Sequence, residues 1–125
     1  MRIVRTEKLD LLARTKAYAV RIVKVYKALP KTVEAQVIGK QLLRSGTSVG
    51  AHVAEANRAR STAEFVSKVE GGLMELAESR YWMELLVELE IVAATKMRLL
   101  LRETDELTAI LVAMAHRSDR NKSSK

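Results

Sequence analysis

From Met97 to Met114 the chain sets Met97, Leu100, Thr104, Leu107, Leu111 and Met114 at unbroken steps of three and four. Only an α-helix returns residues at that spacing to one side, and a strict alternation of three and four falls short of a helical turn, so the stripe is a left-handed packing seam. A helix with one such stripe needs partners to cover it. The same periodicity recurs in three earlier blocks. The first spans about Leu9 to Leu29, with Leu12, Ala19, Ile22, Val23, Tyr26 and Leu29 expected on one face, and Pro30 stops it. The second begins near Thr32, carries Ile38, Leu42, Ser45, Val49, Val53 and Ala56, and ends within Asn57 to Arg60. The third opens on a capping box, Ser61 with Glu64, and turns Phe65, Val69, Gly72, Leu76, Met83 and Val87 inward. A loop near Ala93 to Thr95 then leads into the fourth.

Composition agrees with helices alone. There is one Pro, no Cys and 4% aromatic residues, while 48% apolar residues in 125 suffice for one core. Short connections make neighbours antiparallel, so the expected fold is an all-α, up-down-up-down four-helix bundle over residues 1–116. The polar, basic end "RSDRNKSSK", residues 117–125, is expected to be a disordered tail. The segment "MRIVRTEKLDLL" has no apolar signal-like core, and no apolar run approaches the roughly 20 residues of a bilayer crossing. A soluble, cytoplasmic protein without membrane contact is therefore expected. Val20, Val25, Leu85, Leu89, Leu99 and Ile110 lie off the seams and imply a homo-oligomer that buries them.

The second helix contains a conflict. Gly46, Gly50 and Ala54 stack on one stripe, although each glycine costs a helix about 1 kcal/mol relative to Ala. Close helix packing would offset that; a bend or a ligand groove is the alternative reading. Beside the stripe runs a polar ladder, Gln41, Arg44, Ser48, His52 and Glu55, which suits either a solvated or intersubunit face or a binding site. Arg80, between Leu76 and Met83, is expected inside the apolar stripe of the third helix and needs a carboxylate, with Glu55 the expected partner and Glu84 the local alternative.

Charge bounds the function. Residues 1–31 carry nine basic against two acidic groups and residues 61–90 two against seven, within a chain of net charge +7. Two histidines and no cysteine give little for acid–base or nucleophilic chemistry, so no enzyme, catalytic residue, cofactor or metal is expected. His52-x-x-Glu55 has the spacing of di-iron bundles, but the further inward carboxylates such sites need are missing from the seams. Phosphate binding has better footing: Arg14, Arg21, Lys24 and Lys27 on the first helix, with Arg44, Arg58 and Arg60 on and after the second, are the candidate contacts to RNA or DNA. Few aromatics disfavour base stacking. The competing reading is a scaffold whose basic and acidic helices pair across subunits.

The stretch "LLRSGTSVGAHVAEANRARSTAEFVSKV" and the later "ESRYWMELL" resemble the four-helix bundle family also called the 23S rRNA intervening-sequence protein family. The resemblance is close over the second and third helices and one of pattern in the outer two. It implies a homopentameric ring. The accessory variability proteins of diversity-generating retroelements are similar too, which implies nucleic acid or a protein partner such as a reverse transcriptase. On the same resemblance Ser48, Ala54 and Glu55 match a central motif, and Arg80, Tyr81 and Trp82 a third-helix motif. Two departures stand out. His52 occupies a position usually held by Asn, and Gly71-Gly72 replaces better helix formers, which by itself loosens the helix by about 1–2 kcal/mol.

Overall fold

A computed structural model describes residues 5–123, with side chains described for 10–118. The helices are α1 (Arg5–Ala28), α2 (Val33–Asn57), α3 (Thr62–Glu88) and α4 (Ala94–Ser123), with no strand among the described residues. Residues 1–4 of the expected domain and 124–125 of the expected tail lie outside the described residues. Within that expected tail, α4 continues as a helix through Ser123, and Ser118 is buried.

Each connection has a local cause. Leu29 and Pro30 end α1, and Gln36 ties the turn from the far side: its amide donates to Pro30 O at 2.9 Å, and its carbonyl accepts from the Tyr26 hydroxyl at 3.0 Å. Thr32 caps α2, accepting from the Ala35 amide. Ser61 caps α3 by accepting from the Glu64 amide at 3.0 Å, the forward half of the capping box. After α3 the chain closes a Schellman turn, with Ile91 N donating to Leu86 O and Glu90 N to Val87 O, both at 2.9 Å. That turn puts Glu90 at φ 60°, in the left-handed region where glycine is normally found.

The seams of α2 and α4 bury as their spacing requires: Ile38, Leu42, Ser45, Val49, Val53 and Ala56 on one, Met97, Leu100, Thr104, Leu107, Leu111 and Met114 on the other. The face of α1 is phased differently from expectation. Its buried stripe is Leu11, Thr15, Tyr18, Ile22 and Leu29, while Val23 is exposed and Leu12, Ala19 and Tyr26 are half-buried. The reason is that polar groups here find partners inside. Thr15 donates to Leu11 O at 2.9 Å, and the Tyr18 hydroxyl meets Thr104 Oγ1 at 2.8 Å. Because Thr104 gives its proton to Leu100 O, Tyr18 is the donor. Ser45 and Ser79 pair at 2.8 Å in the same core, so all four helices contribute buried hydroxyls.

The glycines of α2 serve packing within the chain. A Cβ on Gly46 would stand 2.6 Å from Ile22, and one on Gly50 would stand 3.2 Å from the Thr15 hydroxyl, so α1 seats directly on the α2 backbone. The face of Gly46 is therefore closed by this chain's own α1. Ala54, at the outer end of the stripe, is exposed and lines a shallow cleft with Gly50, Leu12 and Ala19.

Candidate nucleic-acid interface

The seven candidate cations divide into two groups. Arg14 and Arg44 are held by carboxylates of neighbouring helices. The Arg14 guanidinium grips Glu103 of α4 with Nη2 at 2.5 Å and Nε at 3.2 Å, and reaches Glu106 at 3.5 Å. The Glu103 hydrogen bond raises the Arg14 pKa against the opposing effect of burial. Arg44 bonds Glu78 of α3 and lies 3.4 Å from Glu75. By contrast Arg21, Lys24, Lys27, Arg58 and Arg60 have no carboxylate within ion-pair distance among the described residues. All but the half-buried Arg21 are exposed.

These five do not form one patch. Lys24 shares a cleft with Ile91, Val92 and Ala93 of the α3–α4 loop, whereas Arg58 and Arg60 lie at the α2–α3 turn. The 27 residues of α3 separate those loops, a length of about 40 Å at 1.5 Å per residue. Lys96, on α4, lines the same cleft as Lys24.

The motif residues of α2 and α3 bond mostly to neighbours within this chain. Trp82 donates its indole N–H to Glu78 at 3.0 Å, and this bond, followed by that from Arg44, holds the Glu78 carboxyl below its usual pKa. Tyr81 stands exposed, edge-on to Trp82 with ring centroids 4.9 Å apart. The Ser48 hydroxyl donates to Arg44 O at 2.7 Å, a bond within its own helix. Arg80 is not in the core. Ser79 takes the buried position, and Arg80 reaches outward to Asp105 at 2.8 Å and Glu84 at 3.8 Å. The expected partner Glu55 instead lies 3.5 Å from both His52 and Lys68. One step of sequence decides this: Ser79 continues the spacing from Leu76 to Met83 as well as Arg80 does, and a paired serine is far cheaper to bury than a guanidinium.

His52 and Gly71 account for each other. The imidazole covers Gly71, where a Cβ would come within 2.8 Å of the ring, and Gly72 lets Leu111 of α4 approach a missing Cβ at 2.9 Å. The larger side chain on α2 and the absent ones on α3 are thus one steric arrangement. Among the described residues no cluster of three or more His, Asp or Glu is placed to hold a metal ion.

Sequence reasoning passed over Arg98 and Arg102. Both are exposed and line a cleft between α3 and α4, with Arg80, Asp105, Thr95, Val87 and Leu101. Their signal is faint because Arg102 precedes Asp105 and Glu106, the spacing of ordinary helical ion pairs. In the fold Asp105 turns to Arg80 and Glu106 to Arg14.

Fold and surface together define a small all-α bundle protein, no helix of which is long and apolar enough to cross a membrane over the described residues, and whose polar chemistry is that of surface ion pairs and unmatched cations. Residues 7–113 match the model of the 23S rRNA-intervening sequence protein family, and the chain belongs to that family. A similar solved structure is the crystal structure of a protein of unknown function from the S23 ribosomal protein family of Bacteroides thetaiotaomicron VPI-5482. It is 34% identical, covers 87% of this chain and 97% of its own, and superposes with a TM-score of 0.82. No curated protein matches the chain.

Proposed function

We propose that this protein is a non-enzymatic, homo-oligomeric bundle that binds RNA through backbone phosphates. The observation that carries the reading is the set of cations without carboxylate partners, above all Lys24, with Lys27 one turn on and Lys96 facing the same cleft as Lys24, at the end of α1 beside the α3–α4 loop. Phosphate contact by such groups releases counterions, so affinity should fall as salt rises and depend little on base sequence.

The assembly belongs to the same proposal. The contacts Tyr26 and Leu29 with Gly39, Ile22 with Gly46 and Thr15 with Gly50 run in opposite order along α1 and α2, which supports an antiparallel up-down-up-down course. Val20, Leu89 and Leu99 remain about half exposed, which supports burial between subunits of a ring of five. A second reading is favoured by Val37, Met74 and Tyr81, more than half exposed: an accessory surface for a protein partner such as a reverse transcriptase.

The test is a salt series of RNA-duplex binding with the full chain and with its R21Q/K24Q/K27Q variant, solution mass being measured alongside. Three lost contacts should flatten the slope of log affinity against log salt by about 2 to 3. Binding that ignores both salt and the substitutions would overturn RNA recognition, and a monomer at every salt concentration would overturn the ring.

A further inference from the structure

The cleft between α3 and α4 has a volume of about 470 Å³ and three guanidiniums among its lining residues, Arg80, Arg98 and Arg102, against one carboxylate, Asp105. Asp105 is engaged at 2.8 Å by Arg80. Arg98 and Arg102 have no carboxylate within ion-pair distance among the described residues, so the lining carries a net charge of +2.

We propose that this cleft is a phosphate-binding pocket, with Arg98 and Arg102 as its principal donors and Arg80 beside them. Arg98 and Arg102 are one turn apart on α4, about 6 Å between their Cβ atoms, close enough for two guanidiniums to converge on a single tetrahedral oxyanion. Guanidinium is suited to phosphate because its planar fork gives paired N–H donors and its charge does not titrate away. Val87, Leu101 and Ala94 form an apolar wall that lowers the local dielectric and strengthens attraction to an anion. Thr95, in the first turn of α4, adds a hydroxyl to the lining. Asp105 keeps Arg80 drawn toward α4, so the third guanidinium stays at the cleft instead of extending into solvent.

The volume exceeds what one phosphate fills and accommodates a second phosphate or an attached sugar. The phosphate has two sources, a nucleic-acid backbone or a free phosphate compound, and the first would extend the RNA interface proposed above. Pocket and interface stand separately, because Arg98 and Arg102 are outside the Arg21, Lys24 and Lys27 set.

The experiment titrates inorganic pyrophosphate and an RNA duplex into the full chain, its R98Q/R102Q variant and its R21Q/K24Q/K27Q variant, with thermal melts of each. Arg98 and Arg102 are exposed and outside the core, so R98Q/R102Q should melt as the parent does. Pyrophosphate binding should weaken about tenfold or more in R98Q/R102Q through loss of the forked donors, and stay unchanged in R21Q/K24Q/K27Q. The conservative R98K/R102K variant, which keeps charge but loses the fork, should fall between, and it supplies the same comparison if the glutamine variant does not fold. Loss of RNA and pyrophosphate binding together in R98Q/R102Q identifies backbone phosphate as the source; loss of pyrophosphate binding alone identifies a free phosphate compound. Failure of the unmodified chain to bind pyrophosphate, or equal binding by R98Q/R102Q, overturns the pocket whatever becomes of RNA binding by the other variant.

Discussion

At the scale of single residues, His52 and Gly71 show two unfavourable choices that accommodate each other. Either one alone reads as a defect, a bulky ring on α2 or a helix weakener in α3. Together they fit, because the ring lies where the Cβ of residue 71 would be. Gly71→Ala should therefore be neutral or mildly stabilising, since the ring is the far end of a half-buried side chain and can turn aside at small cost against a gain in helix propensity of about 1 kcal/mol. In an H52N background the same substitution should stabilise by more, the difference, up to about 1 kcal/mol in a double-mutant cycle of urea denaturation, being the cost of turning the ring aside. Additive effects would show that the ring does not depend on the glycine. Tyr18 gives a second residue-scale expectation. Burial raises its pKa, the dominant cause, against the lesser effects of bonds to Thr104 and Ser79. The folded chain thus holds the phenol proton more tightly than the unfolded chain does, so the stability contribution is complete below the ordinary value near 10 and is lost as pH rises beyond it. Urea midpoints measured from pH 8 to 11 should fall at the alkaline end, and less steeply in Tyr18→Phe.

Helices are where the sequence is most readable, and where its limits have clear physical causes. The seams of α2 and α4 follow apolar spacing because their buried positions are mostly aliphatic. The stripe of α1 does not, since Thr15 and Tyr18 look like surface residues until the Leu11 carbonyl and the Thr104 hydroxyl are placed beside them. Arg80 was misplaced for a related reason: spacing alone could not choose between it and Ser79, and Ser45 on another helix decides the matter. Of the candidate interface, the types of residue were legible and their partners were not. Arg14 and Arg44 look as free as Lys24 until α4 and α3 bring carboxylates to them. The α3–α4 turn yields an element-scale prediction. Glu90 occupies the left-handed C′ position of a Schellman turn, which costs a side chain about 1 kcal/mol that glycine avoids. Glu90→Gly should accordingly stabilise the chain by up to about 1 kcal/mol, less the added freedom of its unfolded state. A lower thermal midpoint in that variant would mean that the Glu90 side chain makes a contribution larger than the strain.

For the whole molecule, the division between matched and unmatched cations separates what holds the bundle together from what faces outward. Arg14 joins α1 to α4 through Glu103, whose side chain is only 17% exposed, so removing the guanidinium leaves a carboxylate with little water to replace it. Arg21, Lys24 and Lys27 lie on the same helix and have no carboxylate partner among the described residues, so neutralising them removes no ion pair there. The two kinds of substitution should consequently fall on opposite observables. Arg14→Gln should lower stability by about 1 kcal/mol, a figure kept modest because the arginine is itself partly solvated, and should leave the salt slope of RNA binding nearly unchanged. R21Q/K24Q/K27Q should melt within about 0.5 kcal/mol of the parent or slightly higher, since it relieves like-charge repulsion in a basic chain, and should flatten the slope. The decisive comparison is thermal melting and salt-dependent RNA binding measured on the same preparations. If the triple variant lost stability and subunit association while binding RNA as before, its cations would belong to assembly, and the scaffold reading would replace the phosphate one.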